Sequence, residues 1–130
     1  MLLQPRGSAV LRQQARVRSR PGVSKTIGIS RSKYPESAAH IEEAQAASKP
    51  SVLTLARPGA KARRYQALKG TKPTPGKDRD ESPPAMFKEG GTGASVRTID
   101  SSDNKGAGAS MGEQCQSVKN GDKVLIVICP

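Results

Sequence analysis

The sequence predicts a small α+β domain, and three observations support that class. The chain has 130 residues, which is enough for one domain at most. Short β-like segments alternate along it with helix-like segments, and no internal repeat is visible. Thirteen glycines and ten prolines favour short elements joined by turns. A modest core of aliphatic side chains must hold these elements together, because the aromatic content is only 2%.

The N-terminal segment has a different composition from the rest of the chain. Its first 25 residues contain five arginines, one lysine and no acid. We therefore predict a disordered basic tail over residues 1–24 and a folded domain over residues 25–130. An organelle transit segment, or a linker from a longer chain, has a similar composition.

The elements of the predicted domain follow from periodicity and from turn residues. Pro35 and Pro50 bracket a helix rich in Ala and Glu, and Pro58-Gly59 precedes a short basic helix. The last apolar segment has the composition of a central strand. In chain order, we predict strands at 26–30, 51–56, 96–99 and 124–129, and helices at 36–48, 60–68 and 107–118.

The charge of the chain indicates a polyanionic partner. Twenty-two Lys and Arg face 11 Asp and Glu, which leaves a net charge of +11. Nucleic acid is the first partner that such a field attracts, and an anionic membrane surface is the second. No apolar run is long enough to span a bilayer, so we expect no membrane insertion. The N-terminus also lacks the apolar region of a secretory signal.

Acidic and amide side chains recur between Asp78 and Gln114, within this basic chain. Carboxylate and amide oxygens hold hard divalent cations, while nearby Lys and Arg hold phosphates. The pattern is therefore typical of a metal site beside a nucleic-acid backbone. The two cysteines, Cys115 and Cys129, lack the spacing of a zinc site.

The same segment resembles the NucA/NucB-type extracellular deoxyribonucleases, in pieces that occur in family order over about three quarters of the chain. These pieces are Ser32–Glu36, His40-Ile41, Leu68–Gly70, Lys77–Glu81, Glu89–Gly91, Ala94–Arg97, Ser102–Gly108 and Asp122–Val124. The resemblance implies a metal-dependent endonuclease on DNA with a ββα-metal motif, in which a hairpin and a helix clamp one divalent ion. It also implies secretion or export. In some secreted relatives cysteines stand at the positions of Leu53 and Phe87, so we expect an apolar contact there and favour free thiols here.

The resemblance places the base that activates water in the sequence Asp78–Glu81. Glu81 occupies the place where many ββα-metal nucleases have histidine, and Asp80 is its neighbour. The adjacent pair cannot be separated by sequence, and a turn carboxylate is the alternative for Asp80. Arg79 would contact phosphate. His40, the single histidine, is expected to be structural because it lies outside the cluster.

The resemblance places the metal, Mg²⁺ or Mn²⁺, at the following helix. Asn104 and Glu113 are nine residues apart, as are the amides that flank the metal helix in the family. The second position departs from the family pattern, because a carboxylate stands where an amide is usual, and the neighbouring Gln114 is the alternative ligand. Asp103 and Asn104 could also serve as a helix N-cap pair. Glu89 is a candidate partner of the metal or of Arg97.

Basic side chains around the site are predicted to hold the DNA backbone. They are Lys61, Arg63, Arg64, Arg97 and Lys105. Contacts limited to phosphate give little sequence specificity. Two alternatives stay open: a nucleic-acid-binding module without catalysis, and the nuclease domain of a larger polymorphic toxin. The toxin alternative implies a cognate inhibitor or immunity protein.

Overall fold

The computed structural model describes residues 22–130, and this part of the chain forms an α+β domain, as predicted. It contains two separate sheets and three helices. The predicted tail falls mostly on residues outside the described part. The first strand already begins at Val23, two residues before the predicted domain boundary.

The larger sheet has three strands in the order β1-β5-β2, with β1 at Val23–Ser30, β2 at Val52–Thr54 and β5 at Lys123–Cys129. β1 pairs with β5 in parallel, and β2 pairs with β5 antiparallel. The central position predicted for the last strand is confirmed. Residues 124–128 are all buried, because both faces of a central strand are covered.

The second sheet is a hairpin of β3, Lys77–Ser82, and β4, Ser95–Asp100. Its strands are joined by residues 83–94, where Gly91 and Gly93 adopt positive φ angles that other residues rarely take. The glycines therefore turn the chain within the hairpin connection. β3 pairs with β4 on one side, and no other described strand pairs with its second edge.

Three helices pack on these sheets: α1 at Pro35–Ala46, α2 at Ala60–Leu68 and α3 at Ser101–Gln114. The prediction for α2 matches at both ends. The prediction for α3 placed its start six residues too late. Gly106 and Gly108 lower the helix propensity of this segment, so its pattern did not indicate a helix. Asp100 is the N-cap, and its side chain accepts a hydrogen bond from the Asp103 amide. The hairpin therefore runs directly into α3.

The main core contains aliphatic side chains from both ends of the chain and one aromatic ring. Leu53 and Phe87 are both buried in this cluster, while the backbone of Phe87 forms a bridge with that of Leu55. Cys115, also in this cluster, and the half-buried Cys129 are free thiols. No helix in the described part of the chain is both long and apolar enough to cross a bilayer.

Candidate active site

An open cavity of about 560 Å³ lies where β3, α2 and α3 meet. Five consecutive residues of β3, 77–81, line it. Because successive side chains of a strand point to opposite faces, the cavity follows the unpaired edge of β3 rather than one face. The other lining residues come from the helices and from the hairpin connection: Arg64, Leu68, Pro73, Pro84, Ala85, Met86, Asn104, Gly108 and Met111.

Glu81 is the most unusual side chain of this cavity. It is 9% exposed, and its Oε1 atom is buried with no hydrogen-bond partner among the described residues. Its Oε2 atom lies 3.7 Å from the Arg64 Nε. Burial raises the pKa of Glu81, and the neighbouring charge of Asp80 adds to the rise, while Arg64 and Arg79 oppose it. A carboxylate with a raised pKa and a free oxygen is suited to accept a proton.

Asp80 is held differently from Glu81, although the two residues are adjacent. Its Oδ2 lies 2.6 Å from the Nδ1 of His40, whose Nε2 lies 2.9 Å from the Ser95 Oγ. His40 is buried in α1 with both ring nitrogens engaged. The side chain of Asp80 thus points towards α1, because alternation along β3 sends it to the face opposite Glu81.

The two arginines at the cavity differ in how firmly they are held. Arg79 donates from Nη1 to the carbonyl and hydroxyl oxygens of Thr71, at 3.2 and 3.3 Å. The Arg64 side chain is 69% exposed, and its closest carboxylate is Glu81. Arg79 therefore has a fixed position at the wall, whereas Arg64 can reach an incoming anion.

The first turn of α3 contributes an amide to the cavity. The Asn104 Nδ2 donates to the Asp78 Oδ2 at 3.1 Å, and both residues line the cavity. Its neighbour Asp103 points away and is buried. The Asp103 carboxylate accepts from the backbone amides of Glu36 and Ser37, at 2.9 and 3.0 Å. The predicted N-cap pair therefore separates: Asp103 caps the first turn of α1 rather than α3, and Asn104 faces the cavity.

The two other predicted metal ligands lie outside the cavity lining. Glu113 is exposed near the C-terminal end of α3. Gln114 makes a paired contact with the backbone of Gly28: its Oε1 accepts from the Gly28 amide and its Nε2 donates to the Gly28 carbonyl, at 3.0 and 2.8 Å. Of the three predicted ligands, Asn104 therefore lies at the cavity. Gln114 instead connects α3 to β1 through its hydrogen bonds with Gly28.

The predicted DNA-binding side chains fall into two groups. Arg64 lines the cavity, and Lys61 and Lys105 are exposed on α2 and α3. Arg63 donates instead to the backbone carbonyls of Ala56, Pro58 and Ala85. Arg97 pairs with Glu43 of α1 and borders a separate pocket beside that helix.

Glu89 was expected to be a partner of the metal or of Arg97, but it binds Thr54 instead. Its carboxylate accepts from the amide and the hydroxyl of Thr54, at 2.7 and 2.8 Å. It is therefore neither a partner of Arg97 nor part of the cavity lining. The reason is that the hairpin connection folds back along β2, where the Lys88 amide donates to the Thr54 carbonyl.

Two charged residues of the cavity were not among the predicted site residues. Asp78 and Lys77 both line it. The available signal for Asp78 was its place in the Asp78–Glu81 sequence, because the cavity is lined by consecutive residues of β3 and not by one face of the strand. His40 was expected to be structural, and its burial and two hydrogen bonds agree with that, although it also determines where Asp80 points.

A buried carboxylate beside arginines, in an open cavity, is an arrangement suited to general acid–base chemistry on an anionic substrate. The family model for deoxyribonuclease NucA/NucB matches residues 30–127. The chain is also 45% identical over 103 residues to the DNA-entry nuclease of Bacillus subtilis (strain 168), covering 79% of this chain and 70% of that protein. The chain belongs to the NucA/NucB deoxyribonuclease family, and it is a nuclease. Nucleases of this family generally depend on a divalent metal.

Proposed function

We propose that the protein is an endonuclease that hydrolyses DNA phosphodiester bonds with Glu81 as the general base. The single observation that supports this role is the buried Glu81 oxygen without a partner at the cavity wall. A buried carboxylate oxygen is costly to leave unsatisfied, so such atoms indicate a site of chemistry or of ligand binding. A water held beside the Glu81 carboxylate in the cavity would lose its proton to Glu81 as it attacks phosphorus.

Glu81 suits this role through its pKa. Burial raises the pKa of Glu81 above the ordinary value for a glutamate. A base is most effective when its pKa is close to the working pH, because it must be deprotonated and still bind the proton well. Asp80 would assist by its charge, which repels the Glu81 carboxylate, while His40 and Ser95 keep it in place.

The arginines would bind the phosphate on which the water acts. Arg64 is exposed beside Glu81, and a guanidinium can hold two phosphate oxygens at once. Arg79 is fixed by Thr71 in the same wall and adds positive charge there. Positive charge near the phosphate neutralises the charge that develops in the transition state.

A divalent ion fits the side chains present at the cavity. No three Asp, Glu, His or Cys side chains of the described residues form a metal cluster by themselves. Asn104 and Asp78, however, offer hard oxygen donors side by side, and Mg²⁺ commonly uses one or two protein ligands and keeps several waters. We assign Asn104 and Asp78 as the residues that would hold Mg²⁺ or Mn²⁺. The ion would supply charge stabilisation for the phosphate and the leaving oxygen.

The substrate contacts of this proposal are to the DNA backbone. Arg64, Lys61, Lys105 and the cavity residue Lys77 are basic and lie on the elements that form the cavity. Such contacts give affinity without base recognition, so we expect little sequence specificity. Export from the cell and an inhibitor or immunity protein stay predictions.

A plasmid-nicking assay tests the function. Supercoiled plasmid should be converted to nicked and linear forms in Mg²⁺ or Mn²⁺, and EDTA should abolish the conversion. Retardation of the plasmid in a gel without any cleavage, in both metals, would instead favour the binding module without catalysis.

A further inference from the structure

Tyr65 is an aromatic side chain that the fold leaves in solvent. It lies on α2 and is 65% exposed, and it is the one large hydrophobic residue that is exposed among residues 22–130. Single exposed apolar residues are ordinary on protein surfaces, so exposure alone gives it no role. Its position on α2 is what distinguishes it.

The position is the rim of the cavity. Arg64, the preceding residue, and Leu68 both line the cavity. Lys61 and Lys69 are both exposed and stand four residues before and after Tyr65, so they share its side of the helix, with Lys69 just beyond the last helical residue. α2 contains no acidic residue. An aromatic ring therefore lies between two cations, next to the side chain that faces Glu81.

This arrangement matches the chemistry of single-stranded nucleic acid. Lysines follow the phosphates, and an aromatic ring stacks on a base, whichever base it is. Bases within a duplex are stacked on each other, so only an unpaired base presents its face. Tyrosine also loses little conformational entropy on stacking, since it has two side-chain torsions.

We propose that Tyr65 stacks on an unpaired base and that Lys61 and Lys69 hold the flanking phosphates, which makes the rim of α2 a binding surface for single-stranded DNA. The inference rests on the proposed function, because it places this strand beside the catalytic cavity. It adds a preference: single strands and frayed ends bind through a contact that an intact duplex cannot make.

Binding measured in EDTA tests the surface without cleavage. The probes are a dT oligonucleotide and a duplex of equal length, titrated against wild type, Tyr65→Ala, Tyr65→Phe and the exposed neighbour Gln66→Ala as control. Tyr65→Ala should weaken dT binding by about 5- to 100-fold, and duplex binding by a much smaller factor. Tyr65→Phe keeps the ring and should stay within about twofold of wild type, as should Gln66→Ala.

Intrinsic fluorescence gives a second measurement on the same samples. The chain has two tyrosines and no tryptophan, so a base stacked on Tyr65 should quench a large part of the emission. Quenching by dT should disappear in Tyr65→Phe although its affinity is retained. Equal losses for dT and duplex in Tyr65→Ala, or no loss for either, would overturn the proposal.

The plasmid-nicking assay separates this failure from failure of the proposed function. One outcome is that plasmid stays intact in Mg²⁺ and Mn²⁺ while Tyr65→Ala still weakens dT binding more than duplex binding. The proposed cleavage is then wrong, and the proposed binding surface for single-stranded DNA is supported. If plasmid is cut normally and Tyr65→Ala binds dT as wild type does, the surface alone is wrong.

Discussion

The Nδ1 of His40 lies 2.6 Å from the Oδ2 of Asp80, and this contact separates the roles of two adjacent acids. Asp80 is bound to a buried ring that Ser95 holds from its other side. Glu81 points to the opposite face of β3 and keeps an oxygen without a partner. The contact between α1 and β3 therefore engages Asp80, while Glu81 keeps the unpartnered oxygen on which its proposed role as base rests.

Glu81→Gln should reduce plasmid cleavage by a factor of about 10²–10⁴, because the amide cannot accept the proton. DNA affinity should be retained or increased, since a negative charge near the phosphate is removed. Single-turnover cleavage and gel retardation measure the two effects. Glu113→Gln makes the same chemical change at an exposed position and is the matched control. Wild-type cleavage by Glu81→Gln would show that another group is the base.

The raised pKa of Glu81 predicts two pH effects of opposite direction. Cleavage should increase as pH rises through this pKa, since the base must be ionised. Stability should decrease over the same interval: a carboxyl group whose pKa is raised in the folded state favours folding only while it is protonated. The loss begins near the ordinary value of 4.5 and is complete above the folded value.

Glu81→Gln should therefore be more stable than wild type at pH 7, because the amide removes a buried negative charge while it keeps the size and shape of the side chain. Below pH 4 the two proteins should unfold alike. Urea denaturation at several pH values measures the difference. A variant less stable than wild type at pH 7 would show that the Glu81 carboxylate is well satisfied in the folded protein.

Asp80→Asn should reduce cleavage less than Glu81→Gln, because the Asp80 carboxylate is bound to His40 and would assist Glu81 only through its charge. The amide can still hydrogen-bond to His40, so the free energy of unfolding should change little. His40→Ala, by contrast, leaves the Asp80 carboxylate without its partner and should cost about 1–3 kcal/mol of stability. Thermal unfolding and cleavage rates measured on both variants test this division. Equal loss of cleavage in Asp80→Asn and Glu81→Gln would mean that the acids act as one unit.

Asn104→Ala should raise the Mn²⁺ concentration for half-maximal cleavage by about tenfold or more, because it removes an oxygen donor and the partner of Asp78. Calorimetric titration of Mn²⁺ should show the same weakening without DNA. Glu113→Ala is the matched change on the exposed end of α3 and should have little effect on either measurement. The reverse result would place the ion at Glu113, the other ligand that the family resemblance implies.

Arg64→Ala and Arg63→Ala should have opposite effects, although the residues are adjacent on α2. Arg64 is exposed, so its loss should leave stability within about 1 kcal/mol and lower the slope of log affinity against log salt by about 0.9. Arg63 binds three backbone carbonyls, so its loss should lower the unfolding temperature and leave that slope nearly unchanged. Fluorescence anisotropy on labelled DNA, at several salt concentrations, separates the two.

Local patterns were sufficient for most of the helices and strands. The central strand at 124–128 is apolar throughout, and α2 lies between Gly59 and Gly70. Apolar composition and turn residues therefore indicate these two elements without any knowledge of the elements that pack against them. α3 was harder, because glycines in its first turns lower helix propensity and contacts with other elements outweigh that cost. Gly106 lies against the Tyr34 ring, where a larger residue would not fit.

The sequence by itself determined the family, the acidic pair Asp80-Glu81 and the basic character of the chain, because these depend on residue types and their order. Only the tertiary structure decided which acid is free, since His40 is 40 positions from Asp80 along the chain and meets it through packing of α1 on the hairpin. It likewise directed Asn104 into the cavity and Gln114 to Gly28, and it separated Arg64 from Arg63. The physical reason is that adjacent residues of similar type point in different directions. The residues that they meet in those directions come from distant parts of the chain.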